Sequence, residues 1–164
     1  MTSMAERGAE VRVRRAARAD EASLVALLEA HGAELGKAAP DRTALVRGVA
    51  AFLEAEEARF LLVAEVDGTI AGALTAQGLV GVTDGRPFFL VDDIVVSPAH
   101  RRAGVARRLL TEVESMARAA GAPRVELLVR SVNLPALTLV SRAGYRKAAD
   151  VHLTLALEPA EPER

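Results

Sequence analysis

The stretch LVDDIVVSPAHRRAGVARRLL, residues 90–110, decides the fold of this chain. An apolar run rich in β-branched residues stops at Pro98, crosses a basic turn that contains Gly104, and continues as an amphipathic pattern. The pattern predicts a buried strand, a tight turn and a helix. The first N–H groups of such a helix have no intrahelical acceptor, and they lie at the positive end of its dipole. The turn is therefore a candidate site for an anion such as a diphosphate.

Small and basic residues make up this turn: Arg101, Arg102, Ala103, Gly104, Val105 and Ala106. Glycine accepts a positive φ and, without a side chain, lets a ligand approach the backbone. The small alanines leave the same path open. An ordinary strand-to-helix turn that happens to carry Gly and Arg is the other interpretation, because short glycine motifs are often coincidental. The remainder of the chain has to decide between the two.

Composition excludes several classes of protein. The chain has no cysteine, which excludes disulfides, thiolate metal sites and a cysteine nucleophile. A formal net charge of -1 argues against a broad nucleic-acid surface. No apolar segment approaches the roughly 20 residues that span a bilayer, and residues 1–10 lack the apolar run of a signal peptide. We expect a cytoplasmic protein with no membrane or nucleic-acid partner.

The hydrophobic pattern predicts one domain over residues 11–157, between flexible tails at residues 1–10 and 158–164 that bury too little surface to become ordered. A strand opens the domain, a helix capped by Asp20 follows and ends before Gly32, and Asp41 caps a second helix. The third helix carries an apolar stripe and ends near Gly121. The stripe consists of Val105, Leu109, Val113, Met116 and Ala120. The predicted order is βααβββαβαβ, with strands at residues 11–14, 59–66, 69–79, 88–96, 124–129 and 151–157 and a last helix at 133–142.

Three motifs in this order closely resemble the GNAT superfamily of N-acetyltransferases, which transfer an acyl group from acetyl-coenzyme A to an amine. The R-x-x-G-x-A run at residues 101–106, after the V-S-P of 96–98, resembles the family's loop for the cofactor pyrophosphate. The N-x-x-A of residues 133–136, followed by Gly144-Tyr145, is similar to the helix after its fifth strand. Residues 11–28 look like its first strand and helix.

The resemblance implies an α/β fold with a mixed, central, splayed sheet of six to seven strands, flanked by about four helices. In the family the sheet opens between the fourth and fifth strands. Backbone groups of the fourth strand then pair with the pantetheine arm, and by position these belong to Ile94, Val95 and Val96, whose side chains we expect in the core. The resemblance assigns the turn of residues 101–106, with Arg107 and Asn133, to coenzyme A, the acyl donor. The histidines form no cluster, and no metal site is indicated.

Acyl transfer to an amine needs a polarised carbonyl and a base, and backbone amides near Val95 or Val96 are candidates for the first. Asp92 and Asp93 are adjacent carboxylates in an otherwise apolar strand, and on an ideal strand they face opposite sides. The run LVDDIVVSP resembles a motif of GNAT members that act on polyamines and small amines, which favours Asp92 as the base or amine-binding residue. Local backbone or ion-pair partners for both aspartates are the other interpretation.

One position departs from the family pattern. Many members carry a tyrosine four residues after the motif alanine, where it protonates the departing thiolate, and this chain has Val140 there. The single tyrosine, Tyr145, matches a position that we expect to pack in the core. The prediction is therefore transfer of acetyl to the amine of a small molecule or an amino terminus by direct attack. The alternative is a non-catalytic acyl-coenzyme A binding or sensing module of the same fold.

Two further classes explain less of the sequence. The arginines of the turn and third helix suggest a nucleic-acid recognition helix, but that helix has to bury its apolar stripe and the chain is nearly neutral. A structural dimerisation unit predicts no binding of acyl-coenzyme A, and the sequence leaves a homodimer open. Acceptor specificity is expected from the helix pair over residues 20–57, the loop at 78–87 and the last strands, none of which carries a recognisable code.

Overall fold

The computed structural model describes residues 10–34, 41–55, 58–149 and 153–155. They fall into two compact units that are divided after Arg130. The first unit contains the strands β1 (Val11–Arg15), β2 (Arg59–Val66), β3 (Thr69–Val80), β4 (Pro87–Val96) and β5 (Val125–Leu127), and the helices α1 (Glu21–Glu34), α2 (Arg42–Leu53) and α3 (Val105–Ala119). The second contains α4 (Leu134–Arg142). The predicted tails lie outside the described residues, apart from Glu10.

The strands form one sheet whose spatial order follows the chain, β1-β2-β3-β4-β5. Neighbours are antiparallel except β4 and β5, which run parallel because α3 connects them as a crossover. The predicted α/β class with a mixed sheet is confirmed. None of the helices in the described ranges is long and apolar enough to cross a membrane.

The prediction of six to seven strands is wrong for the described part of the chain, in which the sheet has five. β5 covers only three residues of the predicted strand at 124–129, and its register with β4 runs from Phe89 to Val91. Of the predicted last strand, only residues 153–155 are described, and they belong to no strand.

Helices cover both faces of the sheet. Leu24 and Val25 of α1 and Val49 of α2 pack with Leu61, Val63, Ala73 and Val95 on one face. On the other face α3 buries Val105, Leu109, Leu110, Val113 and Ala117. The predicted stripe is thus correct in its first half, but Ala120 is exposed and follows the end of the helix.

The predicted helix starts are half correct. Asp41 caps α2, because its Oδ1 accepts a hydrogen bond of 2.9 Å from the Thr43 backbone N–H. Asp20 ends a short 3₁₀ turn instead and accepts from the Ala17 N–H at 2.7 Å. α1 also continues past Gly32 to Glu34.

An ion-pair network ties β1 to the start of α1. The Arg14 guanidinium donates to both carboxylate oxygens of the buried Asp20, at 2.7 and 2.9 Å, and to Glu65 on β2, at 2.9 and 2.5 Å. The hydrogen bonds from Arg14, together with the Ala17 N–H, hold the pKa of Asp20 below its ordinary value, and the two carboxylates raise the pKa of Arg14. The ionised carboxylate therefore stabilises the folded state.

Asp20→Asn is expected to lower the free energy of unfolding at pH 7 by about 2 kcal/mol, the contribution of hydrogen bonds to a charged group. Because the folded pKa lies below the unfolded value of about 3.9, this stabilisation is complete above that value and disappears as the pH falls through the folded pKa. Urea titrations of wild type and variant at pH 7, 5, 4 and 3 should therefore converge at low pH. A difference that stays constant over this range would contradict a role for the charge.

Glu54→Gln provides the matched control. Glu54 pairs with Arg18 at 3.1 Å, but the two side chains are 64% and 74% exposed. Such surface pairs contribute about 0–1 kcal/mol, so we expect no measurable change in stability.

Gly72 sets the approach of α3 to the sheet. A methyl group on Gly72 would lie 2.8 Å from Val105 Cγ1 and 2.9 Å from the backbone oxygen of Val95. Both contacts are too short, and one involves backbone that cannot rotate away. We expect Gly72→Ala to lower the free energy of unfolding by about 2–3 kcal/mol, as overpacking of a core does.

Gly48, in the middle of α2, is the matched control. No heavy atom of the described residues lies within 4 Å of a methyl group placed there. Alanine favours a helix interior over glycine by about 0.8–1.0 kcal/mol, so Gly48→Ala should raise stability. Denaturant titrations that rank the two variants equally would contradict the packing argument.

Candidate active site

The predicted turn joins β4 to α3. After a 3₁₀ turn over Pro98–His100, Arg102 and Gly104 adopt positive φ values of +63° and +79°. Gly104 is the N-cap of α3, and its carbonyl accepts the first helical hydrogen bond, from the Arg108 N–H at 3.0 Å. The N–H groups of the first helical residues, 105–107, therefore have no acceptor within the helix. No heavy atom of the described residues lies within 4 Å of where a Gly104 side chain would begin, so a ligand has access to this backbone.

The arginines around the turn differ in their partners. Arg101 forms an ion pair with Glu34 at the end of α1. Arg107 pairs with Glu114, two helical turns further along the same face of α3, at 3.1 Å. Arg102 makes no ion pair with any residue that the structure describes. His100 Nδ1 lies 2.8 Å from Ser97 Oγ, so this histidine supports the turn that leads into the site.

β4 has an open edge beside this turn. Its pairing with β5 covers only Phe89 to Val91, and the last bond runs from the Leu128 N–H to the Val91 oxygen at 3.2 Å. Beyond it, no described residue pairs with β4 on that side. Among the described residues of the first unit, the pairing between the fourth and fifth strands ends here, and the edge of β4 is open beyond Val91.

Hydrogen bonding between β3 and β4 shows which backbone N–H and C=O groups of β4 face the open edge. The Ser97 N–H donates to the Ala71 oxygen on β3, at 2.9 Å. In an antiparallel pair successive residues point alternately toward and away from the partner, so the backbone groups of Val95 also face β3. Those of Ile94 and Val96 face the open edge. Of the three side chains, Val95 is buried and the other two are half-buried.

A β-bulge interrupts β4 at the two aspartates. The register passes from Leu74 opposite Ile94 to Ala76 opposite Val91, so Thr75 alone faces both Asp92 and Asp93. The Asp93 N–H donates to Thr75 Oγ1 at 3.1 Å. Strict alternation across the strand is lost at a bulge, and side chains are re-aimed.

A groove of about 210 Å³ lies between α1, α2 and the sheet, on the face that carries Thr75. Its walls are apolar, and its polar residues are Thr75 and Asp93. Both aspartates are exposed, and they differ in that Asp93 lines the groove whereas Asp92 is not among the lining residues. Sequence reasoning missed the groove and Thr75, although a threonine in an otherwise apolar strand was a signal. No signal in the sequence marked the bulge.

The second compact unit holds the remaining predicted residues. Asn133 caps α4, its Oδ1 accepting from the Ala136 N–H at 3.2 Å. Val140 is half-buried within α4, and the Tyr145 N–H donates to its carbonyl at 3.0 Å. Gly144, with φ of +94°, follows the end of this helix as predicted. Across the described parts of both units, no three His, Asp or Glu side chains are grouped to hold a metal ion.

The chain is an α/β protein with a mixed sheet and a glycine turn at the N-terminus of α3, and comparison with known proteins identifies its family. The Acetyltransferase (GNAT) family matches residues 24–145, most of the chain, and the chain belongs to it. Streptothricin acetyltransferase from Streptomyces lavendulae is 30% identical over 92 residues, which are 56% of this chain and 47% of that protein. The chain thus matches about half the length of that relative.

Solved structures share the fold at low identity. The aminoglycoside N-acetyltransferase AAC(6')-Iy in complex with CoA has a TM-score of 0.78 and 18% identity, with 94% of this chain and 99% of that chain covered. A ribosomal-protein-alanine N-acetyltransferase from Brucella melitensis biovar Abortus 2308 has a TM-score of 0.75 and 21% identity, covering 90% and 99%. The named acceptors differ between these two neighbours. The fold therefore leaves the acceptor of this chain open.

Proposed function

We propose that this chain is an acetyl-CoA-dependent N-acetyltransferase that acetylates the amine of a small molecule or an amino terminus by direct attack. The observation that carries the proposal is the position of the open β4 edge. This edge lies between two features: the turn of residues 101–106, whose following N–H groups can bind an anion, and the groove on one face of β4. Donor and acceptor would meet at the bulge and the residues that follow it.

The residues at the turn and the edge fit coenzyme A. A pyrophosphate needs several N–H donors and positive charge, which the N–H groups of residues 105–107 and the Arg102 guanidinium supply. Arg101 would add its charge by exchanging Glu34 for the phosphate. The small Ala103, Gly104 and Ala106 leave the path to those donors open. The outward backbone groups of Ile94 and Val96 suit the amides of the pantetheine arm. Asn133 remains a proposed contact that rests on the family resemblance.

Acetyl-CoA supplies the acetyl thioester, whose carbon bonds to the amine nitrogen as the C–S bond breaks. The Ile94 or Val96 N–H would polarise the thioester carbonyl, a role in which one donor contributes about 3 kcal/mol. A carboxylate at the bulge would take the proton from the incoming ammonium, directly or through water. The lining of the groove supports Asp93 in this role, whereas the sequence favoured Asp92. Water or the amine would protonate the thiolate, because Val140 has no proton to donate.

Calorimetry with acetyl-CoA, followed by thiol release against a panel of amines, tests the proposal. Binding together with amine-dependent thiol release would support acetyl transfer. Binding without release for any amine would favour the alternative, a non-catalytic acyl-CoA binding module, which Val140 supports. If acetyl-CoA does not bind, both the proposed acetyl transfer and the alternative binding module are contradicted.

A further inference from the structure

The groove between α1, α2 and the sheet has an unusual balance of apolar and polar surface for a site that receives an amine. Its walls are built by Leu24 and Leu28 of α1, Leu45, Val49 and Phe52 of α2, and Leu61 of β2. Leu24, Val49 and Leu61 are almost fully buried, so the groove reaches the core of the first unit. The end formed by β3 and β4 carries the polar residues among the described lining, Thr75 on β3 and Asp93 on β4.

This arrangement of apolar and polar residues determines which chemical group can be attached to the acceptor amine; we call this group the body of the acceptor. An apolar group that enters the groove leaves water and gains free energy in proportion to its buried area. A polyhydroxylated, polycationic body would lose hydrogen bonds to water, and the leucine, valine and phenylalanine walls offer none in return. Among the described lining residues Asp93 is the one acid, and a single amine would place its ammonium beside it.

The size of the groove limits the length of the acceptor. An apolar cavity of about 150 Å³ holds a benzene molecule, so about 210 Å³ holds roughly eight carbon atoms. Asp93 immediately precedes Ile94, whose backbone groups face the open edge of β4. An amine held at Asp93 with its body in the groove would therefore lie beside the thioester position.

Building on the proposed acetyl transfer, we propose that the acceptor is a primary monoamine on an apolar body of about six to eight carbons, such as a phenylethyl or hexyl group. This substrate class differs from the aminoglycosides that are named for structural neighbours of the chain.

The test is a homologous series: kcat/KM for ethylamine, butylamine, hexylamine and 2-phenylethylamine, with kanamycin as the hydrophilic polyamine. We expect kcat/KM to rise about two- to fourfold for each added methylene up to hexylamine, as burial of a methylene predicts. The kcat/KM for kanamycin should be at least tenfold lower than that for hexylamine. A flat series, or kanamycin as the better substrate, would overturn the inference while leaving acetyl transfer intact.

A variant pair tests the groove itself. Gly48 lines the groove and has no heavy atom of the described residues within 4 Å of a Cβ position, so the side chain of Gly48→Leu begins in open space and extends over the groove. We expect it to lower kcat/KM for 2-phenylethylamine at least tenfold and to change that for ethylamine less than twofold. Ala51→Leu adds the same side chain on α2 at an exposed position outside the lining, and should change neither. Equal losses for both amines in Gly48→Leu would contradict the placement of the body.

Amine binding can be measured by NMR without any acetyl transfer. Hexylamine titrated into the wild-type protein alone should shift amide NMR signals of α1 and α2 at lower concentration than ethylamine does, and Gly48→Leu should abolish the difference. If no amine is acetylated but this preference is observed, the proposed transfer fails and the groove's specificity stands. If the preference is absent, the specificity fails whatever the turnover.

Discussion

Gly104→Glu is expected to weaken acetyl-CoA binding at least 100-fold while the chain stays folded. The new carboxylate would occupy the turn where we place the pyrophosphate. Two like charges about 4 Å apart at an effective dielectric constant of 20 repel by about 4 kcal/mol, which exceeds the 2.7 kcal/mol of a 100-fold loss. The left-handed φ of +79° costs a non-glycine residue about 1–2 kcal/mol. An acidic side chain at a helix N-terminus recovers part of that cost.

Gly121→Glu is the matched control for this prediction. Gly121 follows the other end of α3, has a φ of +71°, and also has no heavy atom of the described residues within 4 Å of a Cβ position. The variant carries the same charge change and a similar strain, away from the turn. Calorimetry should show unchanged acetyl-CoA affinity, and circular dichroism should show both variants folded. Equal losses in the two variants would point to strain, and wild-type affinity in Gly104→Glu would remove the pyrophosphate from this turn.

Asp93→Asn is expected to lower kcat about 100-fold or more, the usual contribution of a positioned general base. The amide has the same shape but cannot take the ammonium proton. As the pH rises, a larger fraction of the amine is already neutral, so the activity of the variant should climb toward that of the wild type. Stopped-assay rates between pH 7 and 10 measure the climb, and calorimetry should show unchanged acetyl-CoA affinity.

Asp92→Asn separates the two adjacent carboxylates. It changes an exposed residue that is outside the groove lining, and we expect kcat within about threefold of wild type over the same pH range. The opposite pattern, with the large loss in Asp92→Asn, would return the role to the residue that the sequence favoured. Wild-type turnover of both variants at every pH would remove the carboxylate from the mechanism.

The turn between β4 and α3 was readable from the sequence because each of its parts depends on residues close to it in the chain. Gly104 needs no partner to adopt a positive φ, and the unpaired amides that follow belong to any helix start. The stripe through Val105, Leu109 and Val113 repeats at helical spacing and is buried as predicted. The family assignment succeeded for the same reason, since its motifs are local and lie in the right order.

The choice between two carboxylates was not readable in this way. Alternation of side chains along β4 assumes an uninterrupted ladder, and the bulge opposite Thr75 breaks it. That bulge depends on pairing between residues 18 positions apart. Asp20 shows the same limit, because a helix cap and a buried ion-pair partner look alike until Arg14 and Glu65 are brought together by the sheet.

The sequence by itself therefore determined the family, the mixed α/β class and the glycine turn before α3, because motifs, local backbone preferences and hydrophobic periodicity are all local in the chain. Only the tertiary structure decided the number of paired strands in the described chain, the bulge at the two aspartates and the groove that Asp93 lines. These depend on which backbone groups find partners and which side chains are buried together. Such choices are made between distant segments of chain.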